Sequence, residues 1–518
     1  MKSIRLVLIL LFITSLVGAQ DRAINPLIHA DVPDVSMIRV GETYYMSSTT
    51  MHMSPGVPIM KSTDLVNWEL VSYAYDTLAD IDATNLENGE NMYGRGSWAS
   101  CLRHVDGLYY LSTFSATAGK TFIFSTSDID NEPWRRHSFK PSLHDNSFFI
   151  DDDGKMYLIW GGGELKIAEI KPDLSGVVPG TERVLIENAH APIKDPIMLP
   201  AEGSQLFKVD GKYYLFNIAW PKGGVRTVII HRADKITDPW EGRVALQDKG
   251  VAQGGLIDTP DGRWFSFLFR DNGAVGRIPY LVPVEWKEGW PVLGENGKVP
   301  MELDLPANKS LIPGIVASDD FKRKKGEADL PLVWQWNHNP DNDNWKINGK
   351  KGYLSLTTGR VDQDILNSRN ILTQRTIGPV CTGSTAIDVS KMKEGDRSGL
   401  IFLQKKYGWV GVKYEKGQKY LVMEGVFGEL PEEKERVKLD QDQVYLKAIA
   451  NFRDRKDEAQ FFYSLDGKNW KPIGGTLKMA YTLPHFMGYR FGLFNYATKE
   501  KGGVVNFDYF QISDQIDK

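Results

Sequence analysis

One short phrase occurs five times in the first 270 residues of this chain. Each copy has a strand-like run, a turn with a glycine and an aromatic-rich second strand, as in EGSQLFKVDGKYYLFN at 202–217. The turn glycines are Gly41, Gly107, Gly154, Gly211 and Gly262. Repeats about 50 residues long, each with a few short strands, are typical of β-propeller blades. The repeat therefore predicts an all-β chain with a five-bladed propeller across roughly residues 25–305.

The same register brings acidic residues to equivalent places in three of the copies. The position nine residues before the turn glycine holds Trp98, Asp145, Glu202 and Gln253. The first copy has a turn that is two residues shorter, and aligning its serine with those of the other copies puts Asp34 at this position. Equivalent positions of successive blades form a ring around the propeller axis. Three carboxylates are therefore expected at one end of the channel, and their mutual repulsion makes them candidates for function rather than stability.

Two kinds of chemistry fit three converging carboxylates. Carboxylate oxygens are ligands for a hard cation such as Ca²⁺. A carboxylic acid opposite a carboxylate can instead hydrolyse a glycosidic bond, because one protonates the leaving oxygen and the other activates water. A third carboxylate can raise the pKa of the acid. Trp98 suits the C–H face of a sugar ring, and ordinary packing is the alternative explanation for an aromatic residue there.

The repeated phrases also resemble a known family. VPDVSMIRVGETYY, GSWASCLRHVDGLYYL, HDNSFFIDDDGKMYLIWG, AEGSQLFKVDGKYYL and TPDGRWFSFLFRDNGAVGRIPYLVPVEWKEGWPVLG resemble glycoside hydrolase family 43, in the order that the family has them. The resemblance implies a five-bladed propeller that inverts the anomeric carbon in a shallow axial pocket. It implies that Asp34 is the general base, Glu202 the general acid, and Asp145 the residue that tunes the pKa of the acid and orients it. It also implies sugar contacts for Arg277 and Trp98.

Two positions depart from that family. Many members have a histidine near the start of the fifth repeat that helps to hold a metal or water, and this chain has Gln253 there. A channel Ca²⁺ is therefore doubtful, no cofactor or catalytic metal is expected, and Gln253 becomes a candidate substrate contact. Xylose-cleaving relatives often have a phenylalanine after the first hairpin, where this chain reads SSTTMHMSPG. We expect Met51 to lie near the substrate at that place.

The residues after the propeller predict a second β-domain. The segment LPANKSLIPGIVASDDF at 305–321 is rich in turn formers, and short strand-like segments such as GGVVNFDYFQI follow it. This pattern predicts a β-sandwich, so the expected division is a signal peptide at 1–19, the propeller at 20–305, and a linker with the sandwich at 306–518. The resemblance implies that the sandwich packs on the propeller and can lend a loop to the pocket. TLPHFMGYRF at 482–491 is the candidate loop, with Phe486 at its tip, although core packing is the preferred explanation for any single residue in it.

The N-terminus predicts export. MKSIRLVLILLFITSLVGAQ has a basic start, a short apolar run and small residues near Ala19, which is the pattern of a cleaved signal peptide. We therefore expect a periplasmic or secreted protein, and no later segment is apolar enough for a membrane span. The net charge is −4 with no basic block, which excludes a nucleic-acid partner. Cys101 and Cys381 fall in different predicted domains and are expected to be separate buried thiols.

These observations predict an exo-acting glycosidase that releases terminal α-L-arabinofuranose from hemicellulose side chains of arabinoxylan, arabinan or xyloglucan. A β-xylosidase, or an enzyme with both activities, is the first alternative. An endo-arabinanase is the second alternative and requires an open groove rather than a blind pocket. A carbohydrate-binding propeller without catalysis is the third, and it leaves three converging acids unexplained. The sequence leaves the oligomeric state open.

Overall fold

The structure is a computed structural model that describes residues 22–131 and 133–516. The predicted signal peptide lies outside the described residues. The chain is all-β, as the sequence predicts, and forms a propeller followed by a sandwich. Its helical elements are short: one α-helical turn at Asp82–Asn85 and 3-10 turns at Gly273–Val275, Asn342–Asn344, Ile365–Asn367 and Arg453–Arg455. No helix in these two ranges is long and apolar enough to cross a membrane.

Five four-stranded antiparallel sheets form the propeller, each with its first strand innermost. Blade 1 contains Ser36–Val40, Thr43–Ser47, Gly56–Ser62 and Glu69–Tyr75. Blade 2 contains Cys101–Val105, Leu108–Ser115, Lys120–Thr126 and Arg135–Phe139. Blade 3 contains Ser147–Ile150, Met156–Gly162, Glu164–Ile170 and Arg183–Ile186. Blade 4 contains Ile197–Val209, Lys212–Pro221, Thr227–Ala233 and Glu241–Leu246, and blade 5 contains Ala252–Asp258, Trp264–Asp271, Arg277–Lys287 and Trp290–Leu293.

The repeated phrase forms the two inner strands of each blade. In blades 2 and 4 the turn is an Asp-Gly pair between Val105 and Leu108 and between Val209 and Lys212. All four turn residues have φ between 49° and 78°, the left-handed conformation of the two-residue turns that match strand twist. The inner strands of successive blades contact one another in chain order, and the inner strand of blade 5 contacts that of blade 1. The sheets therefore close into a ring.

The ring is fastened by the two ends of the propeller segment. Arg22–Ile24 pairs antiparallel with Glu302–Pro306, so the strand before blade 1 is joined to the strand after blade 5. This pairing fixes both ends of the propeller, which lets the inner strands keep a common register.

The second domain is a sandwich of two antiparallel sheets. The larger sheet contains, in spatial order, Pro431–Leu439, Gln418–Val426, Gly408–Glu415, Asp396–Leu403, Arg490–Ala497, Leu372–Arg375, Gln335–Asn337 and Met53–Ser54. The smaller sheet contains Trp345–Asn348, Tyr353–Thr357, Val504–Ser513, Val380–Lys391, Gln443–Asn451, Glu458–Ser464 and Lys471–Lys478. Cys101 lies in the propeller and Cys381 in the sandwich, and both are buried free thiols.

The two domains share a sheet and a core. Met53–Ser54 leaves blade 1 and pairs with Gln335–Asn337 at the edge of the larger sandwich sheet. One continuous set of buried apolar side chains runs from blades 1, 4 and 5 into the sandwich. A propeller segment thus completes the sandwich, which fixes the sandwich against the face of the propeller where the candidate site lies.

Candidate active site

The five positions of the predicted ring line one cavity of about 430 Å³ at the end of the channel. Four of them lie at or just before the start of an inner strand, and Glu202 lies within the longer inner strand of blade 4, so the closed ring of blades brings them together. The cavity is lined by Asp34, Trp98, Ala99, His144, Asp145, Leu199, Glu202, Trp220, Arg226, Gln253, Arg277, Leu483 and Phe486. Asp34, Asp145 and Gln253 have φ of 52°, 48° and 54°, a conformation that is uncommon outside glycine and clusters at functional sites.

Asp34 forms a buried ion pair on the blade 1 side of the cavity. Its carboxylate oxygens accept hydrogen bonds from Nη1 of Arg277 at 2.8 and 2.9 Å, and Oγ1 of Thr49 donates to Oδ2 at 2.5 Å. Arg277 is 2% exposed and Asp34 is 6% exposed. Such a pair holds both side chains in place, because losing either partner would leave a buried charge without its counter-charge.

Asp145 lies across the axis from Asp34, and its surroundings favour the protonated acid. Burial, together with the charges of Glu202 and Asp34, raises the pKa of Asp145 to about 7, although His144 and a backbone hydrogen bond from Gly203 act in the opposite direction. Desolvation and like charges both favour the neutral acid. This side of the cavity therefore holds a carboxyl group that carries a proton near neutral pH.

Glu202 lies next to Asp145 on an irregular part of its strand. The pairing of the inner strand of blade 4 shifts on both sides of Glu202, which turns its side chain into the cavity. The next residue is Gly203, with φ of 66°, where a Cβ would come within 2.7 Å of the side chain of Gln253. Glycine thus lets blade 5 pack against the strand that carries Glu202.

His144 completes this side of the cavity. Its Nε2 lies 3.0 Å from Oε2 of Glu202 and 3.9 Å from Oδ2 of Asp145. Burial opposes a charge on His144, but the hydrogen bond to Glu202 and the charges of Asp145 and Glu202 outweigh it and raise the pKa of His144 to about 9. At neutral pH this cluster holds protons that can pass along one hydrogen bond to Glu202.

The arrangement suits acid–base chemistry on a bound molecule between the two sides. Blade 1 supplies an ionised carboxylate that can take a proton, and blades 3 and 4 supply a cluster that can donate one. Blade 1 is not adjacent to blades 3 and 4 in the ring, so the two groups act from opposite sides of the axis. A pair of carboxyl groups separated by substrate and water is the arrangement that hydrolyses glycosides with inversion.

Metal binding is the alternative chemistry for these acids. Ligand atoms of His144, Asp145 and Glu202 lie within 4.8 Å of one another, which is a spacing that a metal ion could use. Further along the inner strands, Arg103 of blade 2 donates to the carbonyl oxygen of Leu206 at 3.0 Å and to the side chain of Gln205 at 3.4 Å, both in blade 4. The positive charge of Arg103 would repel a divalent cation, so this part of the channel does not fit one.

The sandwich supplies the outer wall of the cavity. Phe486 has its ring 4.4 Å from the guanidinium of Arg277 and 5.8 Å from the ring of Trp98. Leu483 lies on the same segment and is 74% exposed at the cavity mouth. The sequence favoured core packing for single residues here. Phe486 does pack against an apolar cluster of the sandwich, but it also lines the cavity, and its place there depends on how the two domains dock.

A buried carboxylate connects this sandwich segment to Arg277. Asp31 accepts hydrogen bonds from the backbone N–H of Arg277 at 2.8 Å and of Gly488 at 3.0 Å. The same aspartate therefore holds the arginine behind Asp34 and the segment that carries Phe486.

The structure brings Trp98 and Gln253 to the cavity but not Met51. Met51 is 2% exposed and packs with residues of the sandwich in an apolar cluster behind Trp98. Its backbone is bridged to that of Ser97, the neighbour of Trp98 in the chain. Met51 therefore supports the wall rather than lining it.

His144 is a residue of the site that the sequence pattern did not predict. It lies next to the ring position of Asp145 in HDNSFF, so it is outside the position that the repeat compares. The sequence feature that could have indicated it is a titratable residue directly before a carboxylate of the ring. The register predicts the ring, and His144 reaches it from the position directly before Asp145, whose backbone is left-handed.

Two sequence families match most of the described chain. The pattern of glycosyl hydrolases family 43 matches residues 23–291. The pattern of the β-xylosidase C-terminal concanavalin A-like domain matches residues 318–513. The two matches correspond to the propeller and the sandwich.

Known proteins resemble the chain over both domains. It is 28% identical to a β-xylosidase of Formosa agariphila over 94% of this chain and 89% of that protein. It is 24% identical to a non-reducing end α-L-arabinofuranosidase of Bacteroides ovatus, over 77% of each. A solved structure described as a bifunctional GH43-CE protein of Bacteroides eggerthii superposes with a TM-score of 0.95 and 67% identity. That alignment covers 96% of this chain but 64% of the other, so this chain spans less than two thirds of that protein.

Proposed function

The chain belongs to glycosyl hydrolase family 43, and on that premise we propose that it is an exo-acting, inverting glycosidase that releases a terminal pentose from hemicellulose oligosaccharides. The observation that carries the proposal is the single cavity with a buried ionised carboxylate on one side and a proton-holding cluster on the other. The sandwich segment at the cavity mouth favours an end-on substrate, because it stands where a continuous chain would have to pass in an endo-acting enzyme.

In the proposed reaction Asp34 is the general base. It takes a proton from a water molecule as the water attacks the anomeric carbon, and Arg277 holds the carboxylate in place.

Glu202 is the proposed general acid, and it protonates the glycosidic oxygen as the bond breaks. Its proton comes from His144, whose Nε2 is hydrogen-bonded to the carboxyl group. Moving that proton to Glu202 leaves a neutral imidazole and a neutral acid, which places no net charge in the site. Asp145 does not take this proton, because its own carboxyl group, with a pKa of about 7, is already protonated at lower pH.

Among pentoses, we propose β-D-xylose first and α-L-arabinofuranose second. The sequence-based preference for arabinofuranose was based on the missing phenylalanine together with the segment TTMHMSPG, and Met51 of that segment lies behind the cavity wall. The sandwich that contributes Phe486 matches the β-xylosidase C-terminal pattern, and the Formosa relative is a β-xylosidase. The Bacteroides ovatus relative, an arabinofuranosidase, supports the second sugar.

Hydrolysis of two nitrophenyl glycosides tests the sugar and the stereochemistry together. We expect a higher kcat/KM on nitrophenyl β-D-xylopyranoside than on nitrophenyl α-L-arabinofuranoside. Proton NMR during the first turnovers should show α-xylose as the first product, because inversion follows from water attack opposite the leaving group. Initial release of β-xylose would contradict inversion. An enzyme that cleaves polymeric arabinan but neither nitrophenyl glycoside would contradict exo action.

His144→Gln is expected to lower kcat/KM on xylobiose by about ten- to a hundredfold, the range for losing a hydrogen bond to a charged group. The cluster loses its last proton near pH 9, where His144 titrates, so activity should persist to alkaline pH in the wild type. Without His144 the proton of the cluster is held by Asp145 alone, so the alkaline limb should move down from pH 9 towards the pKa of Asp145.

A pH profile of kcat/KM for both proteins is the measurement. His137→Gln, on the outer strand of blade 2, is the matched control and should keep the wild-type profile. A loss of activity in His144→Gln with an unmoved alkaline limb would mean that His144 only packs against the site.

A further inference from the structure

Two buried arginines face each other on neighbouring strands of the larger sandwich sheet. Arg375 and Arg490 are directly opposite in the register of Leu372–Arg375 and Arg490–Ala497. Arg375 is 2% exposed and Arg490 is 4% exposed. Opposed side chains on adjacent antiparallel strands lie on the same face of the sheet, and like charges in that position repel.

Their guanidinium groups have few acceptors among the described residues, and the hydroxyl of Tyr73 is a side-chain partner of Arg375. Nε of Arg375 donates to the backbone oxygen of Asp31 at 3.0 Å, but its Nη1 has no partner. Nε and Nη1 of Arg490 are buried and have no partner either. Buried polar atoms are almost always hydrogen-bonded, so three unpartnered nitrogens on two neighbouring cations point to an acceptor between them.

The nearby anionic group is already used. Asp31 is the carboxylate whose charge acts on Arg490, and both its oxygens accept backbone hydrogen bonds from Arg277 and Gly488. Burial and the charge of Arg375 lower the pKa of Arg490 to about 9, which reflects the same shortage of negative charge. Two cations and one carboxylate leave one positive charge uncompensated in the interior, and such a charge is costly to bury.

We propose that Arg375 and Arg490 form a binding site for one small monovalent anion, chloride in solution, at the interface between the propeller and the sandwich. A single negative charge balances the group and supplies the acceptor that the three nitrogens lack. Because both guanidinium groups are less than 5% exposed, only an anion of about the size of water can reach them without separating the domains. A water molecule could accept hydrogen bonds from the three nitrogens, but it would leave the positive charge uncompensated.

The site lies one contact behind the proposed active site but does not depend on its chemistry. Asp31 separates Arg490 from Arg277, and it also holds Gly488 on the segment that carries Phe486. A bound anion therefore stabilises the docking of the sandwich against the propeller. The readout is stability, so failure of the glycosidase proposal would leave the test intact.

Thermal unfolding of the full chain in sodium chloride and in sodium gluconate of equal ionic strength tests the proposal. Gluconate is too large for the site, so we expect Tm to rise with the logarithm of chloride concentration above the dissociation constant, by roughly 2–4 °C over the range tested. Bromide should reproduce the rise. Equal Tm values in chloride and gluconate would overturn the proposal.

Arg490→Met removes one cation while keeping an unbranched apolar side chain. This variant should lose the chloride response, and in gluconate its Tm should equal or exceed that of the wild type, because the uncompensated charge is gone. Arg323→Met is the matched control, since Arg323 is paired with Asp319. It should lose stability by the same amount in both salts and keep the chloride response; an unchanged chloride response in Arg490→Met would overturn the proposal.

A bromide soak gives a second measurement if Arg490→Met fails to fold. Crystals of the wild type in sodium bromide should show an anomalous peak between the guanidinium groups of Arg375 and Arg490. A water molecule without anomalous signal at that place would overturn the proposal.

Discussion

Asp34→Asn is expected to lower kcat/KM on every pentoside that the protein cleaves by roughly 10²–10⁴-fold, because an amide cannot take a proton from the attacking water. Asparagine keeps the shape of the side chain and an oxygen that can still accept from Arg277. Asp34→Ala would instead leave that buried guanidinium without its partner and cost about 3–5 kcal/mol of stability. The asparagine variant therefore separates loss of chemistry from loss of fold.

The loss should be the same on nitrophenyl β-D-xyloside and on xylobiose, since water attack is needed whichever group leaves. Asp151→Asn is the matched control, because Asp151 is a propeller aspartate paired with Lys208 and outside the cavity. It should retain wild-type kcat/KM. Full activity in Asp34→Asn would show that another group activates the water and would remove the central role proposed for the blade 1 side.

The repeat made the fold and the ring of acids predictable from sequence. A propeller closes only if successive inner strands keep the same register, so a position counted from one turn glycine is equivalent in every blade. That is why Asp34, Asp145 and Glu202 could be placed together although more than 160 residues separate the first from the last. The resemblance to a known family, not the register, supplied Arg277 and the roles.

Other parts of the site depend on contacts that no local pattern records. Phe486 reaches the cavity because a strand from blade 1 joins the sandwich sheet and fixes the docking of the two domains. Met51 was placed at the cavity from its position in the chain, but its backbone, with φ of 55°, directs it into the apolar cluster behind. Sequence spacing gives the neighbourhood of a side chain, and the backbone conformation decides its direction.

The proton cluster shows the same limit for electrostatics. The sequence predicted that a third carboxylate would raise the pKa of the acid, and the structure adds an imidazole that shares the proton. Asp145 has its raised pKa because it is buried, and burial follows from the closed ring rather than from any neighbour in sequence. The charge balance of the site therefore becomes readable only after the blades are assembled.

Glu202→Ala is expected to separate substrates by their leaving groups. On xylobiose, kcat/KM should fall by roughly 10²–10⁴-fold, because a sugar oxygen leaves only when it is protonated. Nitrophenolate leaves without a proton, so the loss on nitrophenyl β-D-xyloside should be much smaller. The alkaline limb of the pH profile should also flatten for the nitrophenyl substrate, since no proton from the cluster is used.

The same variant should change the titration of His144. The pKa of His144 is about 9 because Glu202 and Asp145 favour the imidazolium, so removing Glu202 should bring it down towards 6.5, the ordinary value for histidine. Histidine NMR signals followed across pH measure this shift, and His137 gives an internal reference outside the cavity. Equal losses on both substrates, with the titration of His144 unmoved, would mean that Glu202 positions the sugar and that the proton comes from another group. A leaving-group effect together with a fall in the pKa of His144 would instead assign both the donor and the source of its proton, because no structural role of Glu202 produces the two results at once.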